Sequence, residues 1–135
     1  MKNSIAARVE FSFKGENYAP AAVLDLDRYL DESGRLPDLH QLIARENGID
    51  TYSYLYEIME SHEIIFDNAT GIAAECLVDG VFDVRAFEQR WQEQHRLDVL
   101  TPIARRHLNI DRLEQHPDLK AALLDAYLAG RNATH

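Results

Sequence analysis

Between Glu46 and Val84 this chain has no lysine and no arginine. It has a single cysteine, Cys76, and no apolar run approaching the roughly 20 residues that cross a bilayer. Each absence excludes something. One cysteine cannot close an intramolecular disulfide or build a cysteine-rich zinc site. The start of the chain, Met1-Lys2-Asn3-Ser4-Ile5-Ala6-Ala7-Arg8, has no apolar segment of the kind a secretory signal needs. Together these point to a reducing, cytoplasmic setting. The bases that exist are scattered apart from Arg105-Arg106, so there is no stripe to neutralise phosphates. Nucleic acids and anionic membrane surfaces are therefore not expected partners. No G-x-G-x-x-G, Walker-type loop or G-x-S-x-G occurs. Dinucleotide, nucleotide and acyl-hydrolase chemistry have no support. The sequons at Asn68 and Asn132 carry no weight without a secretion signal.

What the gap in bases contains is acid. Glu46, Asp50, Glu57, Glu60, Glu63, Asp67, Glu75, Asp79 and Asp83 all lie within it. Removing those nine from the 23 acids leaves 14, which equals the number of Lys and Arg. The whole net charge of -9 thus resides in one stretch. Such a block raises the local negative potential and selects cationic partners.

Length and composition predict one α+β domain over 1–135, mostly helical. An N-terminal two-stranded antiparallel hairpin (8–27) packs against five or six helices (37–130), with a frayed tail at 131–135. An all-α bundle with a small β appendage is the alternative. Val9, Phe11 and Phe13 alternate with Arg8, Glu10, Ser12 and Lys14, as in a half-buried strand. Lys14-Gly15-Glu16-Asn17 is a turn, and Ala22, Leu24 and Leu26 predict a returning strand. A lone hairpin is marginal in water, so it must lie on helices or pair with a second copy, which would make a homodimer.

Helical spacing then takes over, with Gly34, Asn47-Gly48, Asp79-Gly80 and Gly130 as stops and Asp50 or Thr51, Asp67 or Asn68, and Asp83 as caps. The segment 51–67 reads as one amphipathic helix. On a wheel of about 100° per residue, Tyr52, Tyr54, Leu55, Ile58, Met59, His62, Ile65 and Phe66 share one arc. Glu57, Glu60, Glu63 and Asp67 share the other, with Tyr56 and Ile64 among them. A solvated outer face is the plain reading of these acids. A docking face for a basic protein partner, with Tyr56 as apolar anchor, is the sharper one. A hard-cation site is a third, without any EF-hand spacing to support it.

His62, His95 and His107 each extend an apolar stripe, and His40 flanks one. Converging, they could bind a divalent transition metal or act as general acid and base, assisted by Glu63 or by Asp25 at a strand end. Taken singly, each is more simply a core or rim histidine. His62-Glu63-Ile64-Ile65-Phe66 lacks the second histidine of a zincin helix, and no Glu-x-x-His occurs. Asp25 and Asp27 would share a strand face, though Asp27 can equally cap a turn. Cys76 lies on a stripe with Ile72 and Ala73 and has no nearby base, so a buried thiol is expected rather than a nucleophile. The sequence thus favours a small acidic interaction or accessory protein without catalysis or cofactor. A metal-dependent or acid–base enzyme built on His62, His95 and His107 is the alternative.

Overall fold

The computed structural model describes residues 2–133; the expectation of a frayed tail falls partly on residues 134 and 135, outside that range. The chain is α+β and separates into two compact units, Met1–Gln89 and Arg90–His135.

In the first unit, β1 (Ser4–Arg8), β2 (Phe11–Phe13), β3 (Glu16–Tyr18) and β4 (Ala21–Asp25) form a long bent hairpin. Lys14 and Gly15 take positive φ at its tip, the backbone twist that a two-residue hairpin turn requires. Pro20 sits at the bend, where its carbonyl accepts Val9 N–H at 3.1 Å. The helices α1 (Leu26–Ser33) and α2 (Leu39–Glu46) follow. Gly34 caps the first in the left-handed conformation, and Asp38 caps the second by accepting Gln41 N–H.

The β structure is not confined to a two-stranded hairpin. A third strand, β5 (Ile65–Thr70), pairs antiparallel with β1 and gives the order β4-β1-β5. The expected helix over 51–67 is therefore wrong in its second half. Only α3 (Tyr54–Glu60) is helical, with Ser53 accepting Tyr56 N–H as its cap. Ser61–Ile64 breaks the chain direction, and Ile65-Phe66 start the strand. The helix expected through Ile72 and Leu77 is likewise a single turn, α4 (Ile72–Glu75). It is followed by a tight hairpin, β6 (Leu77–Val78) and β7 (Val81–Phe82), with Asp79-Gly80 as its turn rather than as a helix stop.

The register explains the unit's core. Ile5 pairs with Leu24 and Ala7 with Phe66, so these side chains share the inward face. Phe66, Phe82 and Phe87 continue that face as a tilted aromatic chain with centroids 5.5 and 5.6 Å apart. Burying a side chain such as Phe87, which is wholly enclosed, is worth about 2–3 kcal/mol. Cys76 is buried and free. The other sheet face carries Ala6, Arg8, Val23 and Asp67.

A polar knot ties the start of β1 to two helix starts. Asp27 accepts Lys2 N–H at 3.0 Å, Asn3 N–H at 2.8 Å and Asn3 Nδ2–H at 2.8 Å. Asn3 Oδ1 accepts Ile72 N–H at 2.7 Å, and the Asn3 carbonyl accepts Leu26 N–H at 3.0 Å. Thr70 Oγ1 accepts Ser4 N–H at 3.0 Å. All four polar groups of the buried Asn3 are thereby bonded.

The helix α5 (Val84–Leu108) begins in the first unit, where Asp83 Oδ1 accepts Ala86 N–H, and continues into the second. It passes through Pro102 as one element. In the second unit a 3-10 turn at Leu113–Gln115 leads to α6 (Pro117–Ala133). Gly130 does not end this helix, which continues to Ala133. Leu100, Ala104 and Leu113 form its buried centre, with Leu97, Leu119, Leu123, Leu124 and Tyr127 packed around them.

Candidate functional site

The break after α3 redistributes the acids of residues 46–83. Glu57 and Glu60 lie on the outer side of α3 and Glu63 just beyond it, all exposed. Among the described residues none of the three forms an ion pair. Asp67 is separated from them. It sits on β5, and Arg8 Nη1 donates to its Oδ2 at 3.2 Å on the open sheet face. An exposed pair of this kind is worth at most about 1 kcal/mol, and Arg8 also pairs with Glu10 at 3.3 Å, but the contact leaves Asp67 partly compensated. Asp50 Oδ1 accepts Tyr52 N–H and closes the turn before α3.

The tyrosines invert the wheel. Tyr56, placed by sequence among the acids, is 5% exposed and points into the core with Met59. Tyr52 and Tyr54, placed inward, are 96% and 78% exposed. The cause is the shortened helix: Ile65 and Phe66 had fixed the inward arc, yet they belong to a strand. The missed signal was Ser53 as an N-cap, together with the β-prone run Ile64-Ile65-Phe66.

Among the described residues the Tyr56 hydroxyl has no hydrogen-bond partner. The Glu60 carboxylate, one turn along, lies near it without meeting it in hydrogen-bonding geometry. Burial pushes the phenol up to about 12, with Glu60 and Asp38 adding and Arg45 opposing. The native state therefore holds a proton that the unfolded chain releases at its ordinary value of 10.0. Tyr56 contributes nothing pH-dependent below that value, and stability falls as pH rises from 10.0 to about 12. Tyr56→Phe should remove this alkaline loss, and at neutral pH should be neutral or stabilising by up to about 1 kcal/mol. Urea melts of both proteins across that pH range check this. Tyr18, whose hydroxyl donates to Glu16 Oε2 at 3.0 Å, is also held above its ordinary range by that bond.

His40 and His62 belong to the first unit, His95 and His107 to the second. His62 is exposed, its Nδ1–H donating to the Ile58 carbonyl at 2.9 Å and its ring 6.0 Å from Phe11. His40 Nε2–H donates to the His62 carbonyl at 2.7 Å. His95 is exposed and stacks on Trp91 at 5.1 Å. His107 is exposed and lies twelve residues further along the same helix, about 18 Å at 1.5 Å per residue. His95 and His107 therefore cannot share a ligand point. Among the described residues no three His, Cys, Asp or Glu side chains gather as a metal-ligand group. Asp25 ends β4, with one carboxylate oxygen buried and, among the described residues, without a hydrogen-bond partner. Asp27 lies on α1, not on the strand, and is committed to Lys2 and Asn3.

No helix among the described residues is long and apolar enough to cross a membrane. No protein-family model, curated protein or solved structure matches the chain. Glu57, Glu60 and Glu63 on and just after α3, and Tyr52 and Tyr54 at its start, all face solvent.

Proposed function

We propose that this chain is a small acidic interaction or accessory protein that docks a basic segment of a partner protein on α3 and the turn before it. The observation that carries the reading is the run of exposed, unpaired carboxylates at Glu57, Glu60 and Glu63 next to two almost fully exposed tyrosines. Carboxylates outside ion pairs keep their potential for a partner, and they set the rate and salt dependence of encounter. Tyr52 and Tyr54 add apolar area and ring faces that attract Lys or Arg side chains. Asp67 and Tyr56 leave the docking set, because one is paired and the other is buried.

The test is calorimetric titration with a Lys/Arg-rich peptide at several salt concentrations. Reversing Glu60 and Glu63 to Lys should weaken binding at least tenfold, about 1.4 kcal/mol, and flatten its salt dependence. Replacing Tyr52 and Tyr54 with Ala should weaken binding while leaving the salt slope intact. Affinity unchanged by both pairs of substitutions would end this reading.

A further inference from the structure

The second unit carries a feature unrelated to the acidic block. Its αα-hairpin fully buries little beyond Leu100, Ala104 and Leu113, while apolar side chains remain on its outside. On α5, Val99 and Ile103 are 38% and 41% exposed. They lie about 110° around the helix from the inward stripe of Leu97, Leu100 and Ala104, at about 100° per residue. On α6, Ala122, Ala126 and Ala129 are exposed. They lie about 90° from the inward stripe of Leu119, Leu123 and Tyr127, offset in the same rotational sense. Two helices that fold back on each other with offsets of one sense show both stripes on the same side. The hairpin therefore has one flat face, built of larger apolar side chains on one helix and small ones on the other.

Charge flanks the two halves of this face with opposite signs. Arg106 borders the Val99–Ile103 stripe in the last turn of α5. Asp118 and Asp125 border the alanine stripe on α6, with Asp118 in its first turn. None of these three is ion-paired among the described residues. A surface that is knob on one half and hole on the other, basic on one half and acidic on the other, is complementary to itself under a two-fold rotation.

We propose that this face docks a second copy of the chain, α5 of each protomer lying over α6 of the other to close a four-helix bundle. Val99 and Ile103 seat over the partner's Ala122 and the partner's Ala126, where small side chains allow close helix approach. Arg106 and Asp118 both lie at the connection end of the hairpin, so Arg106 meets the partner's Asp118. The contact is isologous and occurs twice.

Sedimentation equilibrium of the full chain tests the proposal. The wild-type protein should associate to a dimer. Ile103→Glu should raise the dimer dissociation constant at least tenfold, about 1.4 kcal/mol, with an unchanged far-ultraviolet spectrum. Arg106→Asp and Asp118→Arg should each weaken the dimer, and the two together should restore it. That exchange lies at the exposed rim and decides the matter even if Ile103→Glu fails to fold. A chain monomeric at every concentration, or a dimer indifferent to the charge exchange, would overturn the proposal. Neither outcome touches peptide binding at α3, which is read separately.

Discussion

Gly71→Ala should cost the first unit about 3 kcal/mol or more, among the largest effects of any single methyl group added to this chain. Two causes act together. Gly71 has φ 67° and ψ -143°, a backbone region essentially reserved for glycine. A Cβ there would also overlap Asn3 Oδ1 and the Lys2 carbonyl oxygen. Neither neighbour is the loose end of a flexible side chain. Asn3 is bonded through its Nδ2 to Asp27 and through its Oδ1 to Ile72 N–H, and the Lys2 carbonyl accepts Thr70 Oγ1–H. Relief would require β1 to shift against β5. Gly80→Ala is the matched control. It too sits at positive φ, 79°, but a Cβ there meets nothing within 4 Å. It should cost only the left-handed backbone penalty, about 1–2 kcal/mol. Urea denaturation of the three proteins measures this. A Gly71→Ala midpoint no lower than that of Gly80→Ala would contradict the steric argument.

Local rules made part of this molecule readable. The Lys14-Gly15 turn, the Gly34 stop and the Asp83 cap each depend on residues within one turn of the chain, and each occurs. What failed was non-local. Ile64-Ile65-Phe66 fits a helical period and a strand equally well, and the choice is made by β1, some sixty residues earlier, pairing Ala7 with Phe66. A helical reading of that run rotates the inward arc, so that Tyr56 turns outward and Tyr52 and Tyr54 turn inward. The acidic character of the site was legible because charge needs no register. Which acids stand free was not, because Arg8 had to be brought across the sheet to remove Asp67. The histidines show the same limit: spacing placed each on a stripe, but convergence is a property of the fold.

The least legible feature, Asn3, supports the second large prediction. Its partners lie 24 and 69 residues away, so nothing nearby in sequence marks it. Asn3→Ala should destabilise the first unit by about 2–4 kcal/mol. It strips an N–H donor from the Asp27 carboxylate and the acceptor from Ile72 N–H, both partly buried. Asn3→Asp keeps the acceptor but replaces the donor with charge facing a carboxylate, so it should cost at least as much. The two large predictions are also coupled. In an Asn3→Ala background, one of the two atoms that a Gly71→Ala methyl would strike is gone, while the Lys2 carbonyl remains. The double variant should therefore lose less than the two single losses combined, by about 0.5 kcal/mol or more. If the losses simply add, the methyl at Gly71 is not meeting the Asn3 side chain. The cost of Gly71→Ala would then belong to the backbone alone.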